Sequence, residues 1–146
     1  MTGRDFLYGA VRLAAGTAEG DWRSAVSRAY YAVFHTARSL LSDLGFSVPR
    51  EERAHKYLSF RLMNAPVGQA DRAGKDLDNL RTARNRADYD LASSVDAAEA
   101  GRHVKIAERA LLILDVLRQE PDRTALTDAI RVYERDVLGV VTWQQP

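Results

Sequence analysis

One run of apolar residues at helical spacing constrains the fold of this chain most strongly. Between residues 22 and 44, apolar side chains recur every three or four positions: Trp22, Val26, Ala29, Val33, Ala37, Leu40 and Leu44. This spacing places them on one face of a single long helix. Asp21 before the run is typical of an N-cap, and Gly45 after it is typical of a helix end. A long helix with a continuous apolar face predicts a helical core.

The rest of the chain also follows a helical period, and no segment alternates apolar and polar residues as a half-buried strand would. Capping residues, glycines and prolines mark the ends of further helices. Thr2 and Asp5 have the spacing of a capping box, and Pro49 suits the first turn of a helix. We predict these further helices at about 5–15, 49–64, 69–91, 95–118 and 122–138.

Short connections between successive helices favour antiparallel neighbours. The sequence therefore predicts an all-α fold, an up-and-down antiparallel helical bundle of four to five helices with an additional C-terminal helix. We expect a single domain over residues 1–146, with its core at about 5–118 and the C-terminal helical extension at about 122–138.

Composition narrows the functional classes. The chain has no cysteine and three histidines, so we expect neither a thiolate metal site nor a histidine-rich one, and no cofactor motif is present. The net charge of +1 gives no global case for nucleic acid, although 18 of the 21 basic residues are arginine, which suits planar contacts to phosphate. No apolar run is long enough to span a membrane and no signal peptide is visible, so we expect a cytoplasmic protein without a membrane partner.

The stretch 77–91, LDNLRTARNRADYDL, places two opposite charges within an apolar helical stripe. The stripe consists of Leu77, Leu80, Arg84, Ala87, Asp88 and Leu91. Arg84 and Asp88 are four residues apart, the spacing at which helical side chains touch. Because an unpaired buried charge is costly, the pair must be matched, lie in a solvated cleft or face a partner.

Polar residues continue this group round the helix, and two interpretations follow. In the functional one, Arg84 and Arg81 hold a phosphate, Asn85 donates to a phosphate oxygen, Asp88 accepts a proton or orients Arg84, and Tyr89 stacks on a base. In the structural one, an ion pair and an interhelical hydrogen-bond network fix the register of the helices. Spacing alone does not separate the two.

A second polar face lies on the long helix, opposite its apolar stripe. It carries Arg28, Tyr31, His35 and Arg38 at spacings of three and four. Such a face is either solvated or directed at RNA or a second subunit, since tyrosine and histidine are unusual choices for plain solvent. We therefore retain Tyr31, His35 and Arg38, together with Arg81, as candidate RNA or interface contacts.

Two motifs together resemble the HEPN domain family. They are SRAYYAVFHTARSLL at 27–41 and LRTARNRADYDL at 80–91, and the second is similar to the small stand-alone branch that reads RN-x-ADY. The resemblance covers about residues 5–117. It implies a bundle of four or five helices, usually a homodimer. Many members are metal-independent ribonucleases, often toxins paired with a minimal nucleotidyltransferase antitoxin, in which two subunits place their motifs across one RNA cleft.

By position, Arg84 matches the family's signature arginine and Asn85 the polar residue that follows it, whereas Tyr89 stands where a histidine is expected. A tyrosine side chain ionises at about pH 10, so this residue type is a poor general base at neutral pH. We predict Arg84, Asn85, Asp88 and Tyr89 as the catalytic cluster of an RNA-directed protein.

Two other functions stay open. The chain could be a non-catalytic HEPN module that binds a minimal nucleotidyltransferase or another protein, with Tyr89 as a target for nucleotide transfer. It could also be a nucleotide-binding bundle in which Arg81 and Arg84 hold the phosphate.

Overall fold

The computed structural model describes all residues, 1–146, and is all-helical. Its elements are α1 (Gly3–Ala14), α2 (Glu19–Leu44), α3 (Arg53–Met63), α4 (Ala70–Tyr89), α5 (Ala97–Leu117), α6 (Asp122–Tyr133) and a π-helical turn, Glu134–Leu138. The only β-type pairing is an isolated bridge between Phe46 and Trp143. The predicted all-α helical bundle is confirmed. No helix combines the length and the apolar character that crossing a lipid bilayer requires.

The ends of the first two helices follow from side-chain caps. Thr2 precedes α1, and its backbone N–H donates to the Asp5 carboxylate at 2.6 Å. The prediction of Asp21 as the N-cap of the long helix was wrong, because α2 already begins at Glu19. The Asp21 carboxylate instead lies in the first turn and accepts from the backbone N–H groups of Thr17 and Ala18 just before the helix, as the acidic residue of a capping box does.

Two further helix ends differ from prediction. Helix α3 begins at Arg53 rather than at Pro49, because Glu51 adopts a φ of 63°, in the left-handed region that interrupts a right-handed helix. Helix α4 ends at Tyr89, so Leu91 lies beyond it and is 78% exposed. Leu91 is therefore not part of the buried stripe, although Leu77, Leu80 and Ala87 are buried as predicted.

Contacts divide the chain into two compact units, and α2, α4 and α5 contribute residues to both. Unit 1 comprises Met1–Thr36 and Asp76–Leu111. One of its apolar clusters consists of Ala25, Val26, Ala87, Val95 and Ala100, with Leu13, Ala14, Trp22 and Ala83 packed against it. The single-domain arrangement stays a prediction.

Unit 2 comprises Ala37–Lys75 and Leu112–Pro146. Large aliphatic side chains fill its core: Leu40, Leu41, Leu58, Leu62, Leu114, Leu117, Leu126 and Ile130. Its C-terminal segment is fixed by hydrogen bonds, since the Trp143 indole N–H donates to the Leu44 carbonyl at 2.8 Å. Gly45 has a φ of 108° and a Cβ there would lie 2.3 Å from the Gln144 carbonyl oxygen, so only glycine fits at the end of α2.

Candidate functional site

Helix α4 brings Arg84 and Asp88 together in unit 1, as their spacing predicts. Arg84 Nε lies 2.9 Å from Asp88 Oδ2, and the two side chains are 20% and 27% exposed. Although the distance is that of an ion pair, the buried Nε–H has no hydrogen-bond partner. The N–H is therefore not aligned with the carboxylate oxygen. The pair is in electrostatic contact without the directed bond that would saturate it.

The other two nitrogens of Arg84 are held by directed hydrogen bonds. Nη1 donates to Asn85 Oδ1 at 3.1 Å, and Nη2 donates to the Tyr31 hydroxyl oxygen at 2.8 Å. Each Nη atom carries two N–H groups and uses one of them here. The guanidinium is thus oriented by two neighbours while a second N–H on each Nη atom could bond to an incoming oxyanion.

Asp88 has a second contact that the sequence analysis missed. The Ser27 hydroxyl, on α2, donates to Asp88 Oδ2 at 3.1 Å. Ser27 and Tyr31 are four residues apart on α2, so one face of that helix contacts both members of the Arg84–Asp88 pair. That shared face was the signal available in the sequence for Ser27.

Tyrosine rings surround the guanidinium. The Arg84 Cζ atom lies 5.3 Å from the Tyr31 ring centroid, 5.4 Å from that of Tyr89 and 6.0 Å from that of Tyr30. Burial raises the pKa of the Tyr30 hydroxyl to about 12, against the opposing effect of the positive charges of Arg81 and Arg84. Tyr89 is 72% exposed, so its ring borders the cluster from the solvent side.

The second polar face is only partly assembled around this cluster. The Tyr31 ring packs against that of His35 at a centroid distance of 5.9 Å, and His35 stacks on Phe6 at 4.9 Å. Tyr31 and His35 are half-buried, so neither lies on a plain solvated surface. Arg38 belongs to unit 2, where it donates to the Pro49 carbonyl at 3.0 Å.

The comparison with family models assigns the chain. A model described as the HEPN domain matches residues 5–117. The chain belongs to the HEPN domain family. Comparison with curated proteins and with solved structures found no match.

In this HEPN domain, the cluster presents a partly exposed guanidinium beside a carboxylate and tyrosine rings. Arginine binds phosphate through paired N–H groups, and a guanidinium already oriented by neighbours loses little freedom on binding. Tyrosine rings offer surfaces on which a base can stack. The domain has no group of three or more histidine, cysteine or acidic residues arranged to hold a metal ion.

Proposed function

We propose that this HEPN protein acts on RNA through the cluster Arg84, Asn85, Asp88 and Tyr89, with two copies facing each other across the cleft of a homodimer. The observation that carries the proposal is the Arg84 guanidinium. Asn85 and Tyr31 orient it through one N–H on each Nη atom, and its side chain is one fifth exposed. The second N–H on each Nη atom is left for a phosphate oxygen, and the partial exposure gives a ligand access to it.

The finer proposal is a metal-independent ribonuclease. The 2′-oxygen of RNA bonds to the adjacent phosphorus and the bond to the 5′-oxygen breaks, which leaves a 2′,3′-cyclic phosphate and a 5′-hydroxyl. Arg84 stabilises the charge that develops on the phosphate oxygens. Asp88 takes the proton of the 2′-hydroxyl, and the Tyr89 hydroxyl supplies a proton to the leaving oxygen.

The decisive experiment measures the RNA affinity of the wild-type protein, R84A and R84K. It uses a panel of single-stranded RNAs in the presence of a chelator. The control variant is R102A, which changes an exposed arginine on α5 of the same unit. We expect R84A to weaken RNA binding about tenfold or more, the effect of losing one charged hydrogen-bonding group. R84K should recover little, because lysine cannot offer paired donors. Equal binding by the wild-type protein and R84A would remove this proposal.

The homodimer makes a separate prediction. If two clusters share one cleft, mixed dimers of wild-type and R84A chains should cleave at well below half the wild-type rate even though one intact cluster is present, whereas independent clusters would keep half. Sedimentation measures whether the chain is dimeric, and tagged mixed dimers test the shared cleft. A monomer that still binds RNA would contradict the two-copy cleft but not the role of Arg84.

A second candidate function is favoured by Tyr89. Because a tyrosine, 72% exposed, stands where the family's histidine is expected, the domain could serve as a non-catalytic module that binds a minimal nucleotidyltransferase. Co-expression with a nucleotidyltransferase encoded by an adjacent gene, followed by co-purification and mass spectrometry, tests this function. A complex without RNA cleavage by the free chain favours it, and an unmodified Tyr89 in that complex excludes nucleotide transfer to this residue.

A further inference from the structure

Arg23 of α2 binds the backbone at the C-terminal end of α4. Its Nη1 donates to the carbonyl oxygens of Ala87 at 2.8 Å and Asp90 at 3.1 Å, with a longer contact of 3.5 Å to Arg86. Its Nη2 donates to the Ser93 carbonyl. The last carbonyls of a helix lack partners within the helix and carry partial negative charge, so a guanidinium is well suited to them. Arg23 therefore caps the turn that carries Asp88 and Tyr89.

Glu19 holds Arg23 in this position. The Arg23 Nε–H donates to Glu19 Oε1 at 3.0 Å, and the same oxygen accepts the Val95 backbone N–H at 3.0 Å. Two hydrogen bonds lower the pKa of the Glu19 carboxyl. The one from the Val95 backbone N–H has the larger effect and the one from Arg23 the smaller. The Arg23 side chain is only 13% exposed, so its donors are directed at the protein and not at a ligand.

A second arginine fixes the same connection from α4 itself. Arg86 Nη2 donates to the Ser94 carbonyl at 2.7 Å, and its guanidinium is paired with the Glu99 carboxylate. The segment between α4 and α5 is thus tied at Ser93 by Arg23 and at Ser94 by Arg86. Backbone bound in this way has few alternative positions, so the end of α4 is defined sharply.

Arg23 belongs to a row of α2 residues that all contact the last turns of α4. Arg23, Ser27 and Tyr31 follow one another at intervals of four, so they share one face of α2. Arg23 donates to the Ala87 carbonyl, Ser27 donates to Asp88, and Tyr31 accepts from Arg84. The row sets the register of α4 against α2 in unit 1, and Arg23 is its anchor at the end where α4 stops.

We propose that Arg23 is a positioning residue for the candidate site, which by holding the C-terminal turn of α4 keeps Asp88 and Tyr89 beside Arg84. The RNA part of its test rests on the proposed function. The structural part does not, because it is measured on the free protein.

The first experiment measures amide hydrogen exchange and the ring signals of Tyr89 by NMR in wild-type protein, R23Q, R23K and the control R102Q. We expect R23Q to speed exchange at Asp90 and Val95 by about tenfold or more, since the Asp90 carbonyl loses a charged donor and Glu19, which accepts the Val95 N–H, loses the guanidinium that holds it. The Tyr89 ring signals should shift in R23Q, whereas R102Q should match the wild-type protein in both respects.

The second experiment measures RNA affinity for the same variants and R84A. A direct phosphate contact by Arg23 would be restored by R23K, because lysine keeps the charge. A positioning role would not be restored, because lysine cannot bond to several carbonyls at once. We expect R23Q and R23K to weaken RNA binding by about the same factor, several-fold and less than R84A, and R102Q to bind normally.

The outcomes separate the positioning role of Arg23 from the proposed action on RNA. Faster exchange with unmoved Tyr89 signals and normal RNA affinity would make Arg23 merely structural and would overturn this inference. Unchanged exchange in R23Q would overturn it as well. If wild-type protein binds no RNA while R23Q shifts both the exchange and the Tyr89 signals, the proposed function fails and the positioning role of Arg23 stands.

Discussion

Each of the two units contains an arginine–carboxylate pair, and the two pairs differ in burial and in hydrogen bonding. In unit 2, Arg61 Nε donates to Glu134 Oε2 at 2.8 Å, and the two side chains are 7% and 2% exposed. In unit 1, Arg84 and Asp88 are 20% and 27% exposed and lack an aligned hydrogen bond at Nε. Both guanidinium groups lie near tyrosine rings, with Tyr57 at 3.5 Å in the first case and Tyr31 at 5.3 Å in the second.

The difference lies in how completely the carboxylate is satisfied. Besides Arg61, Glu134 accepts the Thr142 backbone N–H at 3.0 Å and the Thr142 hydroxyl at 2.6 Å, so no further ligand is needed. Asp88 accepts from Ser27, lies beside Arg84 and is partly exposed to solvent. The charges of Arg61 and Glu134 are therefore matched within the protein, whereas the Arg84–Asp88 pair is partly exposed and accessible to a ligand.

The largest expected effect comes from breaking the buried pair. In E134Q, the Arg61 charge keeps its burial and loses its counter-ion, so we expect the free energy of unfolding to fall by about 3–5 kcal/mol. Urea denaturation measures this change. The control D136N alters an exposed carboxylate of the same π-helical turn and should leave stability unchanged. Equal stability of E134Q and D136N would contradict the structural role of the Arg61–Glu134 pair.

The tyrosine beside Arg84 predicts a pH dependence. Burial raises the pKa of Tyr30 to about 12 from an ordinary value of 10.0. The folded protein therefore keeps this proton at a pH where the unfolded chain has lost it. The contribution of Tyr30 to the free energy of unfolding should be constant below pH 10 and fall between pH 10 and pH 12 by at most about 2.7 kcal/mol, the equivalent of two pKa units.

The variant Y30F tests this assignment, since phenylalanine has no proton to lose. Its free energy of unfolding, measured by urea denaturation from pH 9 to pH 12, should decline less than that of the wild-type protein. Burial also raises the pKa of Tyr57, so Y57F should remove a separate part of the alkaline loss. Parallel curves for the wild-type protein and Y30F would show that Tyr30 is not the group responsible.

The sequence predicts the Arg84–Asp88 contact because it lies within one helix, where a separation of four residues determines proximity. It predicts neither the Arg61–Glu134 pair nor the hydrogen bonds from Arg23 to the C-terminal end of α4. The residues of those contacts are 73 and 64 positions apart, so only the packing of helices brings them together. Similarly, periodicity predicts that a segment is helical. It gives no signal for the start of α3, which depends on the backbone of Glu51.

The smallest expected effect is also the sharpest test of the comparison. A double-mutant cycle with R84A, D88A and the combined variant should give a coupling free energy of about 0.5–1 kcal/mol, because both side chains are partly exposed and solvent screens their attraction. The same cycle at Arg61 and Glu134 should give a clearly larger coupling. If Arg84 and Asp88 instead couple by about 3 kcal/mol, as a buried structural pair does, their partial exposure leaves no freedom for a ligand. The RNA-binding interpretation of Arg84 would then lose its physical basis, whereas weak coupling leaves the guanidinium free to exchange its carboxylate neighbour for a phosphate.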